Sequence, residues 1–107
     1  MADFVAVISG TVREGMEDEF LALLEPVLDA MRHEETFVNA ILHRDPDAPN
    51  RFMLYETWTD ADDVMQVQMH RDYRKPFQDR LPELLEAPRE MKVWHPMRGD
   101  FRSRTAG

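Results

Sequence analysis

Apolar positions along the chain alternate between the short period of strands and the longer period of helices, and each change marks an element. Phe4 to Val12 is a continuous apolar, β-branched run closed by Gly10 and Gly15, predicting a first strand with neither side facing solvent. Met16, Phe20, Leu23, Leu24, Val27, Leu28 and Met31 then fall at helical spacing, and Glu17, Asp18 and Glu19 in the first turn suit the helix dipole. Pro26 inside this pattern predicts a kink near Ala22 to Glu25, and His33 to Thr36 ends the helix. Two extended runs follow, Phe37 to Arg44 and Arg51 to Trp58, separated by Asp45, Pro46, Asp47, Pro49 and Asn50, which favour a reversal. Asp60 reads as an N-cap with Asp63 at the third helical position. The short helix it opens runs to about Met69 and presents Val64, Val67 and Gln68. A longer helix carries Tyr73, Phe77, Leu81, Leu84 and Leu85 on one face, broken or tightened by Pro76 and Pro82. Arg89 to Met97, bounded by Pro88 and Pro96, is the last strand. The order β-α-β-β-α-β predicts an α+β fold, the ferredoxin-like plait, over residues 1–97, with 98–107 a polar tail.

A turn at Asp45 to Asn50 would pair position i of the hairpin with position 95 − i. Phe37, Asn39, Ile41, His43, Phe52, Leu54, Glu56 and Trp58 then share one side. Val38, Ala40, Leu42, Arg44, Arg51, Met53, Tyr55 and Thr57 share the other. Both sides are mainly apolar, yet helices on one face of a sheet bury only one of them. A large bare apolar patch is rare on a soluble monomer, so the sheet is expected to pair with a second copy in a symmetric homodimer. The side with Asn39, His43 and Glu56 among aromatics reads as a site wall. The side with Val38, Ala40, Leu42 and Met53 reads as the mating surface.

Composition narrows the choices. At 107 residues there is one domain, and the absence of cysteine excludes disulfides, thiolate metal sites and a cysteine nucleophile. A net charge of −8 argues against a nucleic-acid surface and against docking on anionic lipid. No apolar run approaches a membrane span, and Phe4 to Ile8 is too short for a signal peptide, so a soluble cytoplasmic protein is expected. Eight methionines suit an adaptable core or a pocket for a flat ligand, core filler being the commoner use. No histidine pair lies at metal-ligand spacing, and neither a phosphate loop nor a G-x-S-x-G elbow occurs. Asp45-x-Asp47 with Asn50 echoes a calcium loop, but two prolines and no turn glycine favour a plain turn. Arg98-Gly99-Asp100 matches an adhesion tripeptide by letters alone.

Leu42-His43-Arg44-Asp45-Pro46, then Pro49, Arg51-Phe52 and Tyr55-Glu56-x-Trp58-x-Asp60, resemble the antibiotic biosynthesis monooxygenase domain family, its quinol-monooxygenase-like members above all. The resemblance covers nearly the whole chain in element order, with its specific letters in the hairpin. It implies a dimeric α+β barrel with a pocket in each subunit between sheet and helices. It also implies oxygenation of hydroquinones or polycyclic phenols without flavin, haem or metal, although the domain also hosts haem degraders and isomerases. Family members often carry a pattern like His-x-x-Thr-x-His-Phe in the second helical region. Here its histidine positions fall on Val67 and Asp72, Tyr73 takes the Phe position, and His70 lies between them. The Asn, Trp and His of haem-degrading relatives correspond approximately to Ile8, Val67 and Phe77, leaving no axial ligand.

Cofactor-free oxygenation needs a base, hydrogen bonds to a substrate oxyanion, and an apolar cavity poor in water. Glu56 and Asn39, directly opposite each other under the assumed pairing, are candidate catalytic groups; a structural polar pair is the alternative. His70 is the best single base candidate, on the segment that covers the pocket in this family, though an exposed helix-junction histidine fits as well. Trp58, His43, Phe52, Phe37 and Tyr73 are candidate substrate-binding residues, a core or interface aromatic being the commoner role for Trp58. Tyr55 points to the opposite face, His33 suits a helix C-terminus, and His95 alternates with Val93 and Met97. Arg71, Arg74 and Lys75 would either meet an anionic substrate at the pocket rim or form a solvated basic face. The expected activity is a cofactor-independent monooxygenase acting on a quinol-like or polyphenolic aromatic with O₂. A proton-transfer enzyme or isomerase using the same base, and a non-catalytic ligand-binding module, are the alternatives.

Overall fold

A computed structural model describes residues 3–103. Its elements are β1 (Phe4–Thr11), α1 (Glu17–Met31), β2 (Phe37–Asp45), β3 (Ala48–Trp58), α2 (Ala61–Gln66), α3 (Lys75–Leu84) and β4 (Glu90–Trp94). Two 3-10 turns, Gln68–His70 and Asp72–Arg74, join α2 to α3. The strands form one antiparallel sheet in the order β2-β3-β1-β4. This is the α+β, ferredoxin-like arrangement expected from the alternation of periods. The described part of the tail, residues 98–103, has no regular structure; residues 1–2 and 104–107, assigned above to domain and tail, lie outside the described residues.

Local sequence accounts for the helices. In α1 the buried residues Phe20, Leu24, Val27 and Met31 recur every three or four positions and face the sheet. The helix continues through Pro26, whose missing N–H removes one bond of the ladder without ending it. Asp60 caps α2 by accepting from the Asp63 backbone N–H at 3.1 Å. Asp63 Oδ2 in turn accepts from Thr36 Oγ1 at 2.7 Å and Gln68 Nε2 at 3.1 Å, tying the start of β2 to the turn after α2. These bonds, that from Thr36 foremost, hold the Asp63 carboxyl below its usual range.

The hairpin is where the structure departs from the sequence reading. Asp45 pairs with Ala48, so the reversal takes only Pro46 and Asp47, and Asp45 Oδ1 accepts from the Asp47 N–H at 2.8 Å. Pro49, Asn50 and Arg51 then bulge out before Arg44 pairs with Phe52, and a second irregularity falls at Val38. Pro49 has no N–H for the ladder, which is why a bulge is tolerated there. Between the bulges the partners of β2 move by one residue: Asn39 pairs with Thr57, Ala40 with Glu56, Leu42 with Leu54 and His43 with Met53. A slip of one residue reverses the side-chain faces of a strand relative to its neighbour. Asn39, Ile41 and His43 therefore lie on the side opposite Glu56, and Ala40 and Leu42, expected on the mating surface, turn toward the helices. Phe37, beyond the second bulge, still pairs with Trp58.

The core lies on the helix side of the sheet. Phe4, Ala6, Phe52 and Trp58 pack there with Phe20, Leu24, Val27 and Met31 of α1, Val64 of α2, and Phe77, Leu81 and Leu84 of α3. Phe20 stacks on Phe52 with ring centroids 5.0 Å apart and also meets Phe77. Val12, fully buried, bridges to Leu85, and Asn50 Nδ2 donates to the Val12 carbonyl at 2.8 Å. The β1, β3 and α3 ends are thereby pinned together at one end of the sheet.

Candidate functional site

One row of side chains crosses the helix side of the sheet at Ala40, Glu56, Ala6 and Val93, from β2 through β3 and β1 to β4. A glutamate thus stands in the middle of a β-sheet face with an alanine on either side. Two methyl groups leave room that larger residues would fill, and above this row the helices do not close the gap. The result is a cavity of about 330 Å³. Ala6, Ile8, Leu54, Glu56 and Trp58 form its floor, and Leu24, Val27 and Met31 of α1 one wall. Val64, Met65, Met69, Arg74 and Phe77 cover it, and Arg89, Met91 and Val93 close the β4 edge. The volume lies within the range of small-molecule sites.

Three charged side chains give this apolar chamber its chemistry. Glu56 is 5% exposed and accepts a hydrogen bond from Trp58 Nε1 at 2.8 Å. Trp58 is fully buried, and Phe37 packs edge-on against it at 5.2 Å, fixing the indole that orients the carboxylate. Loss of solvent pushes the Glu56 carboxyl above the 4.5 of an ordinary glutamate; the Trp58 bond and the charges of Arg74 and Arg89 oppose that rise without cancelling it. Arg74 Nε is sealed from solvent and has no hydrogen-bond partner. Much of Arg89 faces solvent, yet its guanidinium is desolvated enough to lie below its usual range, with Glu56 acting in the opposite direction. Neither arginine forms an ion pair among the described residues. The chamber therefore holds one carboxylate of raised proton affinity and two cations with unused donors. Such a set can take a proton from a bound molecule and stabilise the anion left behind.

Of the residues singled out in the sequence, Glu56 and Trp58 come together in this cavity. Phe37 stands behind Trp58, and Phe52 lines a smaller neighbouring hollow of about 40 Å³ beneath Gly10. Tyr73 is half-buried beside the cover, its hydroxyl donating to Gln68 Oε1 at 3.5 Å, and it does not line the cavity. Asn39 and His43 are carried to the far side of the sheet by the register shift, so Asn39 cannot hold the Glu56 carboxylate. His70 is exposed in the first 3-10 turn, away from the lining. The sequence reading left Arg89 out, although it shares the alternation of Met91 and Val93, and it gave Arg74 only a place on the rim. Arg74, Phe77 and Gln78 fall at i, i+3 and i+4, a spacing that places them on one face. Among the described residues no three His, Cys, Asp or Glu side chains gather as a metal site, and no helix is long and apolar enough to cross a membrane.

Residues 3–80 match the family model described as antibiotic biosynthesis monooxygenase. The chain is 33% identical over 91 residues to "Putative monooxygenase GME11364" of Pestalotiopsis microspora, covering 84% of this chain and 76% of that protein. It is 25% identical over 95 residues to "Uncharacterized protein sll1783" of Synechocystis sp., covering 87% of this chain but 64% of the longer relative. Among solved structures, the "Putative antibiotic biosynthesis monooxygenase from Nitrosomonas europaea" superposes with a TM-score of 0.84 over 90% of this chain and 91% of that one. At 16% identity this last likeness bears on the fold.

Proposed function

The chain belongs to the antibiotic biosynthesis monooxygenase family, and on that premise we propose that it oxygenates a quinol-like or polyphenolic aromatic with O₂ and without a cofactor. The observation that carries the reading is Glu56: a buried carboxylate of raised pKa, oriented by Trp58, in an apolar cavity shared with two arginines. A base so placed takes the hydroxyl proton of a bound quinol, and the quinolate is the species that can reduce O₂. Arg74 and Arg89 put positive charge on the cavity wall, which favours the anion left on the substrate. The apolar walls keep water from the pair while a ring carbon forms its bond to oxygen. The O–O bond then breaks, leaving one oxygen on the ring as a hydroxyquinone and releasing the other as water. All four electrons that reduce O₂ come from the substrate, so the step balances with no other reductant.

Oxygen uptake over a panel of hydroquinones in chelator-treated buffer tests this. One O₂ is expected per quinol, with a hydroxylated quinone as product and no accumulating hydrogen peroxide. No uptake across the panel, or uptake that yields peroxide alone, would sink the reading. The same carboxylate would also serve proton transfer without O₂, and product formation under argon would move the assignment to an isomerase. The homodimer expected from the sequence is retained as a proposal, now through the face that carries Ile41 and Trp94.

A further inference from the structure

We propose that the cavity selects aromatic substrates bearing a second acidic group, a carboxylate beside the reacting hydroxyl, with Arg89 holding that group and Arg74 the reacting oxygen. The inference deepens the proposed oxygenation and rests on the same cavity. The protein as a whole carries a charge of −8, yet this chamber collects two guanidiniums against one carboxylate. Some basic side chains of the described residues pair with acids, as Arg51 does with Asp45, Arg71 with Glu34, Lys75 with Asp79, and Arg80 with Glu19. Arg74 and Arg89 do not. Among the described residues Arg13, Arg32, Arg44, Lys92 and Arg102 form no ion pair either, but of these unpaired cations only Arg74 and Arg89 line the cavity. A buried guanidinium nitrogen with no acceptor is costly unless something supplies one. Glu56 accepts from Trp58 but forms no hydrogen bond or ion pair with either arginine, each of which acts on it through charge alone.

The charge count favours a dianion over a simple quinolate. When Glu56 has taken the substrate proton it is neutral, and one phenolate leaves one cation unbalanced. A second anionic oxygen brings the chamber to neutrality. Position divides the work between the two arginines. Arg74 lines the cavity from its cover, beside Phe77 and Gln78. Arg89 lies at the β4 edge, shared between the main cavity and the smaller hollow, with its guanidinium 6.0 Å from the Phe77 ring centroid. A planar guanidinium there can meet a carboxylate with two parallel bonds while the aromatic body lies among Phe77, Leu54 and the methionines.

Binding of two probes under argon tests this without turnover: 2-naphthol and 3-hydroxy-2-naphthoate, which differ by one carboxylate. Titration calorimetry is expected to show the acid bound about ten- to a hundredfold more tightly, the range of one or two charge-assisted bonds. In Arg89→Gln that preference should collapse, while Arg89→Lys should keep part of it. Far-UV circular dichroism of both variants checks that the fold persists. Equal affinity of the wild type for the two probes would overturn the proposal, as would a preference that survives in Arg89→Gln. Because no oxygen is present, failure of the monooxygenase reading leaves this result unaffected, and tight acid binding with no oxygen uptake would separate the two.

Discussion

Glu56 makes a claim that can be read in two independent measurements. If it is the base, kcat/KM should rise with pH along an acidic limb whose apparent pKa exceeds 4.5, because burial raises the carboxyl above that value. Glu56→Gln keeps an acceptor for the Trp58 N–H but removes the titration. It should lower kcat/KM about 100- to 10,000-fold and abolish the limb. A variant with near-native rates would remove Glu56 from the chemistry. Stability supplies the second readout. Between 4.5 and the higher folded-state pKa, the native protein binds more protons at this site than the unfolded chain, so its contribution to stability falls as pH rises. Below that window the penalty is absent, and above it the penalty is fully present. Thermal melts should therefore show Glu56→Gln gaining on the wild type as pH rises through the window and holding a constant advantage beyond it. A difference independent of pH would mean that the folded-state pKa is not raised.

At the scale of elements, the cavity depends on what stands beside Glu56 as much as on Glu56 itself. Ala6 on β1 and Ala40 on β2 flank it at the same level of the sheet, and Ala6 lines the chamber directly. Ala6→Val would push two methyl groups into that space. Because they would occupy space the ligand needs, it should raise KM or weaken 2-naphthol binding severalfold. Unaltered binding would place the ligand elsewhere. The sequence makes some of this arrangement legible. The apolar stripe of α1, the Asp60 cap and the shared face of Phe52, Leu54, Glu56 and Trp58 all follow from periodicity within one element. What it hides depends on relations between elements. The pairing of β2 with β3 turns on a two-residue reversal at Pro46-Asp47 and a bulge after Pro49, and several spacings were compatible with the same turn-forming residues. One residue of error carried Asn39 and His43 into the site and Ala40 out of it. Arg74 sits in a 3-10 turn and Arg89 just before β4. Each is announced only by its spacing from neighbours in the next element, Arg89 from Met91 and Val93 and Arg74 from Phe77 and Gln78, a pattern that shows once the element boundaries are known.

At the scale of the whole molecule, the far side of the sheet sets an unmet demand. Ile41 is 49% exposed and Trp94 59%, with Tyr55, Met53 and Val7 on the same face, while Val5 between Thr57 and Trp94 is 3% exposed. An apolar sheet face open to water is the kind of surface a second copy covers. Four strands about 4.8 Å apart and about 26 Å long project only about 500 Å², short of the ~800 Å² per partner typical of a stable interface. Met97 and Phe101, almost wholly exposed beyond β4, add apolar surface outside the sheet. Sedimentation equilibrium should find a dimer at micromolar concentration, and Ile41→Glu combined with Trp94→Glu should yield a folded monomer. A monomeric wild type would sink the dimer. Because the cavity lies on the helix side of the sheet and these two residues lie on the other, the monomeric variant should still bind 2-naphthol. Loss of binding in a folded monomer would mean instead that the partner subunit helps to close the site.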